Sequence, residues 1–283
     1  MQHSIPVPLK IASLIGFAVL YVPVTLMVIY SFNAGRLISV WSGFSAKWYV
    51  ALFQNEQLLT ALGLSVVIAA GSATLSLVLG TLMALCLERL GRFRLRWLLA
   101  FLGLAPLVMP EVVTGLSLLL LFIAMEALLG WPSGRGIDTI MIAHATFGMC
   151  FVSVIIQARL SDFDKNLEEA AADLGAGPLT VFQTITLPII SPALIAGWLL
   201  AFTLSFDDLV VASFVSGPGS STFPIVVFSS VRLGVTPEVN AIATLIIALA
   251  FITVLIACLF MPRLILYRHS GAEADTERRK WRF

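Results

Sequence analysis

Six uninterrupted apolar runs, at about residues 11–31, 60–87, 97–129, 137–158, 187–206 and 239–262, limit this chain more than any other feature. A helix needs about 20 apolar residues to cross a ~30 Å hydrocarbon core. Only structures that satisfy their backbone polar groups internally can do so. Hydrophobic residues make up 59% of the 283 and charged residues 12%, about half the ~25% of ordinary soluble domains. The expected fold is an all-α integral membrane protein. A net charge of +1 gives no sign of a nucleic-acid partner.

Charge placement sets the number of crossings. A helix over 97–129 would be ~50 Å long, more than a bilayer core requires, so this run reads either as one helix or as two broken near Pro106 and Pro110. Six crossings with an interior N-terminus put 13 of the 17 Lys and Arg inside: Lys10, Arg89, Arg92, Arg94, Arg96, Arg159, Lys165 and six in the tail. Only Arg36, Lys47, Arg135 and Arg232 lie outside. Seven crossings would export both the 159–186 loop and the basic tail, against the positive-inside rule. The expectation is therefore six spans, both termini cytoplasmic, and one long tilted or kinked helix over 97–129. The chain divides into a cytoplasmic segment 1–10, a transmembrane body 11–262 and a cytoplasmic tail 263–283. The first run reads as a retained helix, too long for a signal peptide. Ser72, Ser76 and Gly80 form a small-residue stripe suited to internal packing or to a dimer face. Cys86, Cys150 and Cys258 read as apolar packers.

The loop over 159–186 carries the most information. Leu167, Ala170, Ala171 and Leu174 recur at i, i+3, i+4 and i+7, the stripe of a short amphipathic helix. Asp164 or Asn166 can cap its start, Asn166 with Glu169 as a capping-box variant. Gly175 can take the left-handed conformation that ends it. Such a helix either lies on the bilayer or docks into another protein. It lacks the basic face and bulky anchors of interfacial helices, which favours docking. Glu169-Ala170-Ala171, Gly175 and Ile185-x-Leu187-Pro188 together resemble the EAA loop of permease subunits from bacterial ATP-binding-cassette importers. The resemblance implies a six-helix permease of the type I importer kind, with a coupling helix that sits in a cleft of a nucleotide-binding subunit. Glu169, Ala170, Ala171, Asp173, Leu174 and Gly175 are the implied coupling residues. The chain has no Gly-Lys pair and so no phosphate-cradling loop. ATP and Mg are thus expected on a partner, and this chain is expected to be no enzyme.

Acids in apolar surroundings are costly and point to function. Glu111 follows the Pro106–Pro110 segment and suits either a cation pathway or a hydrogen bond to a neighbouring helix. Asp207 and Asp208 close the fifth run; they suit the pathway or a solvated helix end. His144 reads as a packed, hydrogen-bonded side chain rather than a proton relay. Gly217-Pro218-Gly219 marks a turn, and Phe223–Leu233 is an apolar stretch too short to span, suited to docking a binding protein or to a lid.

Phe202-TLSFDDLVVASFVSGPG, Gly234-VTPEVNAIATL, Tyr30-SFN and Met109-PEVVTGLSLLLLF resemble permeases for putrescine and spermidine, which usually carry Asp at the position of Glu111. That resemblance implies an inner-membrane importer with a second, related permease subunit, two ATPase copies and a periplasmic polyamine-binding protein. Carboxylates Glu111, Asp207 and Asp208 with the aromatic Phe206 would suit a polycation through charge and cation–π attraction. The alternatives are a permease for another small solute and a self-sufficient cation channel or proton-coupled carrier.

Overall fold

A computed structural model describes residues 7–36, 40–91, 93–233, 237–249, 251, 252 and 255. Among them the chain is almost wholly helical, with one isolated bridge between Asn33 and Phe44. It divides into two units, residues 1–55 with 230–283, and residues 56–229.

In the first unit, α1 (Val7–Ser31) is an apolar helix whose membrane-length window has no buried residue in this chain. A tight corner follows it. Asn33 Oδ1 accepts from the backbone N–H of Ser42 at 2.8 Å, and Trp48 Nε1 donates to the Asn33 carbonyl at 2.6 Å. Ser31 Oγ and Tyr49 Oη lie 2.7 Å apart. These bonds fasten the short helix α2 (Lys47–Gln54) to the end of α1. The unit also holds an apolar helix over Pro237–Leu249. Most of the last apolar run beyond it, with Cys258, lies outside the described residues.

The second unit begins with α3 (Glu56–Arg89), 34 residues and so ~51 Å long, well beyond a hydrocarbon core. It packs most extensively on α6 (Ile137–Ser161), and both pack on α9 (Leu187–Phe206). The small-residue stripe makes this interface. Ser76 Oγ donates to the Ala145 carbonyl at 3.2 Å. A Cβ on Gly80 would meet the Met149 carbonyl and Val152 at 2.8 Å. The stripe is therefore internal packing, the close backbone approach that small residues permit.

The run 97–129 is two helices, not one: α4 (Arg96–Val108) and α5 (Glu111–Leu129). Pro106 is accommodated inside α4, and the break falls at Met109–Pro110. Met109 is extended, with φ −78° and ψ 141°, the conformation that a following proline favours. Pro110 has no N–H to continue the ladder. Helix α4 packs on α6, where Cys150 Sγ donates to the Gly103 carbonyl at 2.9 Å. Further along, α5 meets α10 (Val210–Val215) around Gly115 and Phe214, and Thr139 of α6 donates to the Val215 carbonyl at 2.8 Å. Of the two, α5 alone is long and apolar enough to cross a membrane, while α4 is a shorter apolar helix.

Five helices among the described residues are long and apolar enough to cross a membrane. Replacing Gly80 with Val is expected to lower the thermal midpoint of the detergent-solubilised protein, since an overpacked contact against backbone costs ~1–3 kcal/mol. Gly63→Val, where a Cβ meets nothing within 4 Å, is expected to leave that midpoint unchanged.

Candidate functional site: the coupling loop and the carboxylates

The loop after α6 folds into α7 (Asn166–Asp173). Asp164 Oδ1 accepts from the Asn166 N–H at 3.0 Å, a turn that leads the chain into the helix. Asn166 is the first helical residue rather than the cap, so the Asn166–Glu169 capping box does not form. The C-terminal end follows expectation. Gly175 has φ +87°, and its N–H donates to the Ala172 carbonyl at 2.9 Å while Ala176 N–H reaches Ala171 at 3.1 Å. This pair of reverse bonds closes a helix through a left-handed residue.

The apolar stripe of α7 faces away from its own chain. Leu167 and Ala170 are exposed, Ala171 is half-buried, and Leu174 is 90% exposed. Glu169 and Asp173 are exposed as well. The face turned inward is set by Glu168, which the sequence reading left unassigned. Its Oε1 accepts from Arg89 Nη2 at 3.2 Å and from Thr186 Oγ1 at 2.6 Å. The Arg89 guanidinium also lies 5.2 Å from the centre of the Phe163 ring. The available signal was the basic cluster opening at Arg89, which charge counting used only for orientation. A cleft of about 500 Å3 remains here, lined by Leu85, Arg89, Glu168, Ala172, Ala176 and Thr186 among others.

From α7 the chain enters α8 (Pro178–Val181) and a π turn, Phe182–Thr186, before α9. Pro188 cannot donate to the carbonyl four residues back, and Leu187 N–H reaches five back to Phe182 instead. The wide turn absorbs the missing donor. The fifth apolar run is thus continuous with the loop helix, over Pro178–Phe206.

The carboxylates separate into two kinds. Glu111 opens α5 directly after the Met109–Pro110 break and is exposed on this chain, as are Val108, Met109 and Val112 around it. The α5 N-terminus, with its unpaired N–H groups and positive dipole end, favours a negative charge there. Among the described residues its carboxylate makes no ion pair. Asp207, after the end of α9, is exposed too. Asp208 instead accepts from the backbone N–H of Ala212 at 2.7 Å at the start of α10 and pairs with His144 Nε2 at 3.0 Å. His144 Nδ1 lies 2.7 Å from Ser205 Oγ, which accepts from Ser72 Oγ at 2.8 Å. This buried chain ties α3, α6, α9 and α10 together. His144 is packed and hydrogen-bonded as expected, while Asp208 has its acceptors occupied by the protein.

Phe206 belongs to a ring ladder. It stacks on Phe202 at 5.9 Å and on Phe223 at 6.4 Å, and Phe202 stacks on Trp198 at 5.4 Å. The four-residue spacing of Trp198, Phe202 and Phe206 was the visible signal. Phe223 starts α11 (Phe223–Leu233), which follows the Gly217–Ser220 turn. Near that turn a second cleft, of about 400 Å3, is lined by Glu56, Gln57, Thr60, Leu64, Gly219 and Ser221 among others.

Comparison with known proteins agrees with this arrangement. Residues 76–269 match the family described as binding-protein-dependent transport system inner membrane component. The putrescine transport system permease protein PotI of Escherichia coli (strain K12) is 56% identical over 250 residues, 88% of this chain and 89% of that one. The spermidine/putrescine transport system permease protein PotC of Haemophilus influenzae is 43% identical over 85% of this chain and 91% of that one. A chain of a bacterial ABC transporter involved in import of the acidic polysaccharide alginate has the same fold, with a TM-score of 0.71 at 17% identity, covering 91% of this chain and 94% of that chain. With the family match over most of its length and close relatives over nearly nine-tenths of it, the chain belongs to the binding-protein-dependent inner-membrane permeases of ABC transporters.

Proposed function

We propose that this chain is the permease subunit of an ATP-driven polyamine importer, taking putrescine, and that a separate ATPase drives it through α7. The observation that carries this reading is the outward-facing stripe of α7, with Leu174 almost fully exposed. An apolar stripe that its own chain leaves bare, on a helix closed by a rigid glycine turn, suits a cleft in another protein. Glu169, Ala170, Asp173 and Leu174 would meet the ATPase, while Ala171 and Gly175 set the close approach and the end of the helix. Similarity to PotI supports putrescine as cargo. The remaining partners are a second, related permease, two copies of the ATPase and a periplasmic polyamine-binding protein delivering cargo near the Glu56 cleft and α11. Both termini, the segments 1–10 and 263–283 and the loop 159–186 lie on the cytoplasmic side.

Cargo then moves by alternating access along a path marked by Glu111, Asp207 and the Phe206 ladder. A free carboxylate at a helix break inside a crossing is costly against lipid and suits an aqueous corridor. Among the described residues neither Glu111 nor Asp207 makes an ion pair, so each can take an ammonium group. The ring faces add cation–π attraction for the ammonium groups and apolar contact for the alkyl chain. Asp208 holds the wall instead. A dication gains ~4.6 kcal/mol per 100 mV on entry, at ~2.3 per charge, so the ATPase supplies gating and uphill accumulation.

Two results are expected. In the purified complex, Leu174→Asp should release the ATPase subunit, and Gly175→Val should weaken its hold, since a left-handed β-branched residue costs ~1–2 kcal/mol; co-purification measures both. In proteoliposomes loaded with ATP, Glu111→Gln and Asp207→Asn should each slow radiolabelled putrescine uptake about tenfold, ~1.4 kcal/mol of lost attraction. Uptake at the wild-type rate in both variants would remove these carboxylates from the path.

A further inference from the structure

Helix α7 buries none of its residues, and a cleft of about 500 Å3 opens beside it. Apolar packing therefore does not seat it. Among the described residues its side-chain hydrogen bonds to α3 and the π turn converge on one atom, Glu168 Oε1, which accepts both from Arg89 and from Thr186. Arg89 is the last residue of α3 and Thr186 the last residue of the π turn that opens α9. These are two of the three helices that make the packed body of residues 56–229.

We infer that Glu168 is a positioning residue for coupling: its carboxylate, rather than that of the neighbouring Glu169, fastens α7 to α3 and α9 and passes thrust from the ATPase to both. The inference rests on the coupling role proposed above for α7. Three features argue for it. The two adjacent glutamates point to different surroundings, Glu169 to solvent and Glu168 to the body. Charge-assisted hydrogen bonds hold direction better than an apolar contact. A load on the Leu167–Leu174 stripe would otherwise rotate the helix into the cleft.

The guanidinium has little else to hold. Arg89 Nε and Nη1 are buried without a hydrogen-bond partner among the described residues, leaving the Phe163 ring and Glu168. Removing either member of the pair therefore disables the same link. The π turn matters as well. It is the joint at which loop helix and α9 meet, and the Thr186 hydroxyl pins that joint to the same carboxylate.

The test uses the whole reconstituted complex and reads putrescine taken up per ATP hydrolysed. Glu168→Ala and Arg89→Ala are each expected to lower that ratio about tenfold, within the usual range of coupling energies. The double variant should be no worse than Glu168→Ala alone, since that variant already lacks the Arg89–Glu168 bond. Glu168→Gln, which keeps an acceptor oxygen for both donors, should recover part of the ratio, an outcome that a misfolded loop would not give. A wild-type ratio in Glu168→Ala, or losses that add in the double variant, would overturn the inference. Loss of the ATPase subunit from the Glu168→Ala complex would overturn it too, by moving Glu168 to the docking face. Leu174→Asp, made in parallel, separates the two readings: an ATPase subunit that stays bound there refutes docking by α7 itself.

Discussion

Lipid offers no partner to an open peptide group, and every part of this chain that departs from a continuous helix must answer for its backbone bonds. Three departures stand out in the larger unit: the extended step at Met109–Pro110, the π turn before Pro188, and the corner between α9 and α10. Two arise from proline: Pro110 holds Met109 extended, and Pro188 removes a donor. At the third, the Asp208 carboxylate replaces the missing acceptors by taking the N–H of Ala212. Each departure has polar side chains beside it: Glu111 at the first, Thr186 with Glu168 at the second, Asp207 and the His144 chain at the third. The breaks in the helices and the places where charge is kept are the same places.

Between these points the helices meet through very small residues. Gly80 against Val152, Gly148 against Ser76 and Gly115 against Phe214 leave no room for a methyl group. Such contacts cannot deform gradually, so displacement of α3 is passed to α6 as a body movement. The buried chain Ser72–Ser205–His144–Asp208 adds bonds that cross four helices. A rigid wall of this kind suits the alternating access proposed above, in which a push at one end would reshape the path at the other.

Much of this was legible from the residues. Apolar length gave the helical class, and the Glu169–Gly175 pattern with Ile185-x-Leu187-Pro188 gave the loop helix and its left-handed end. The stripe of Leu167, Ala170, Ala171 and Leu174 follows from the periodicity, whereas its outward direction is seen only in the fold. The run 97–129 was expected as one helix and is two, because charge counting fixes which side a loop occupies and says nothing about a break between two loops. Pro110 carried that signal, whereas Pro106 beside it proved tolerable within α4. Helix α10 escaped notice because six residues give no periodicity. The role of Glu168 escaped because its partners lie 79 and 18 positions away, and only the fold brings them together. For the same reason the sequence did not show which of the adjacent Asp207 and Asp208 is tied into the fold; it is Asp208, bonded to His144 and Ala212.

The account depends on α7 being grasped from outside the chain. A photo-activatable residue placed at position 174 in the membrane-embedded complex, followed by irradiation and mass spectrometry, tests this most directly. The expected adduct joins this chain to the nucleotide-binding ATPase subunit, and its yield changes with nucleotide state. Adducts confined to lipid, or to a protein on the periplasmic side, would contradict the account.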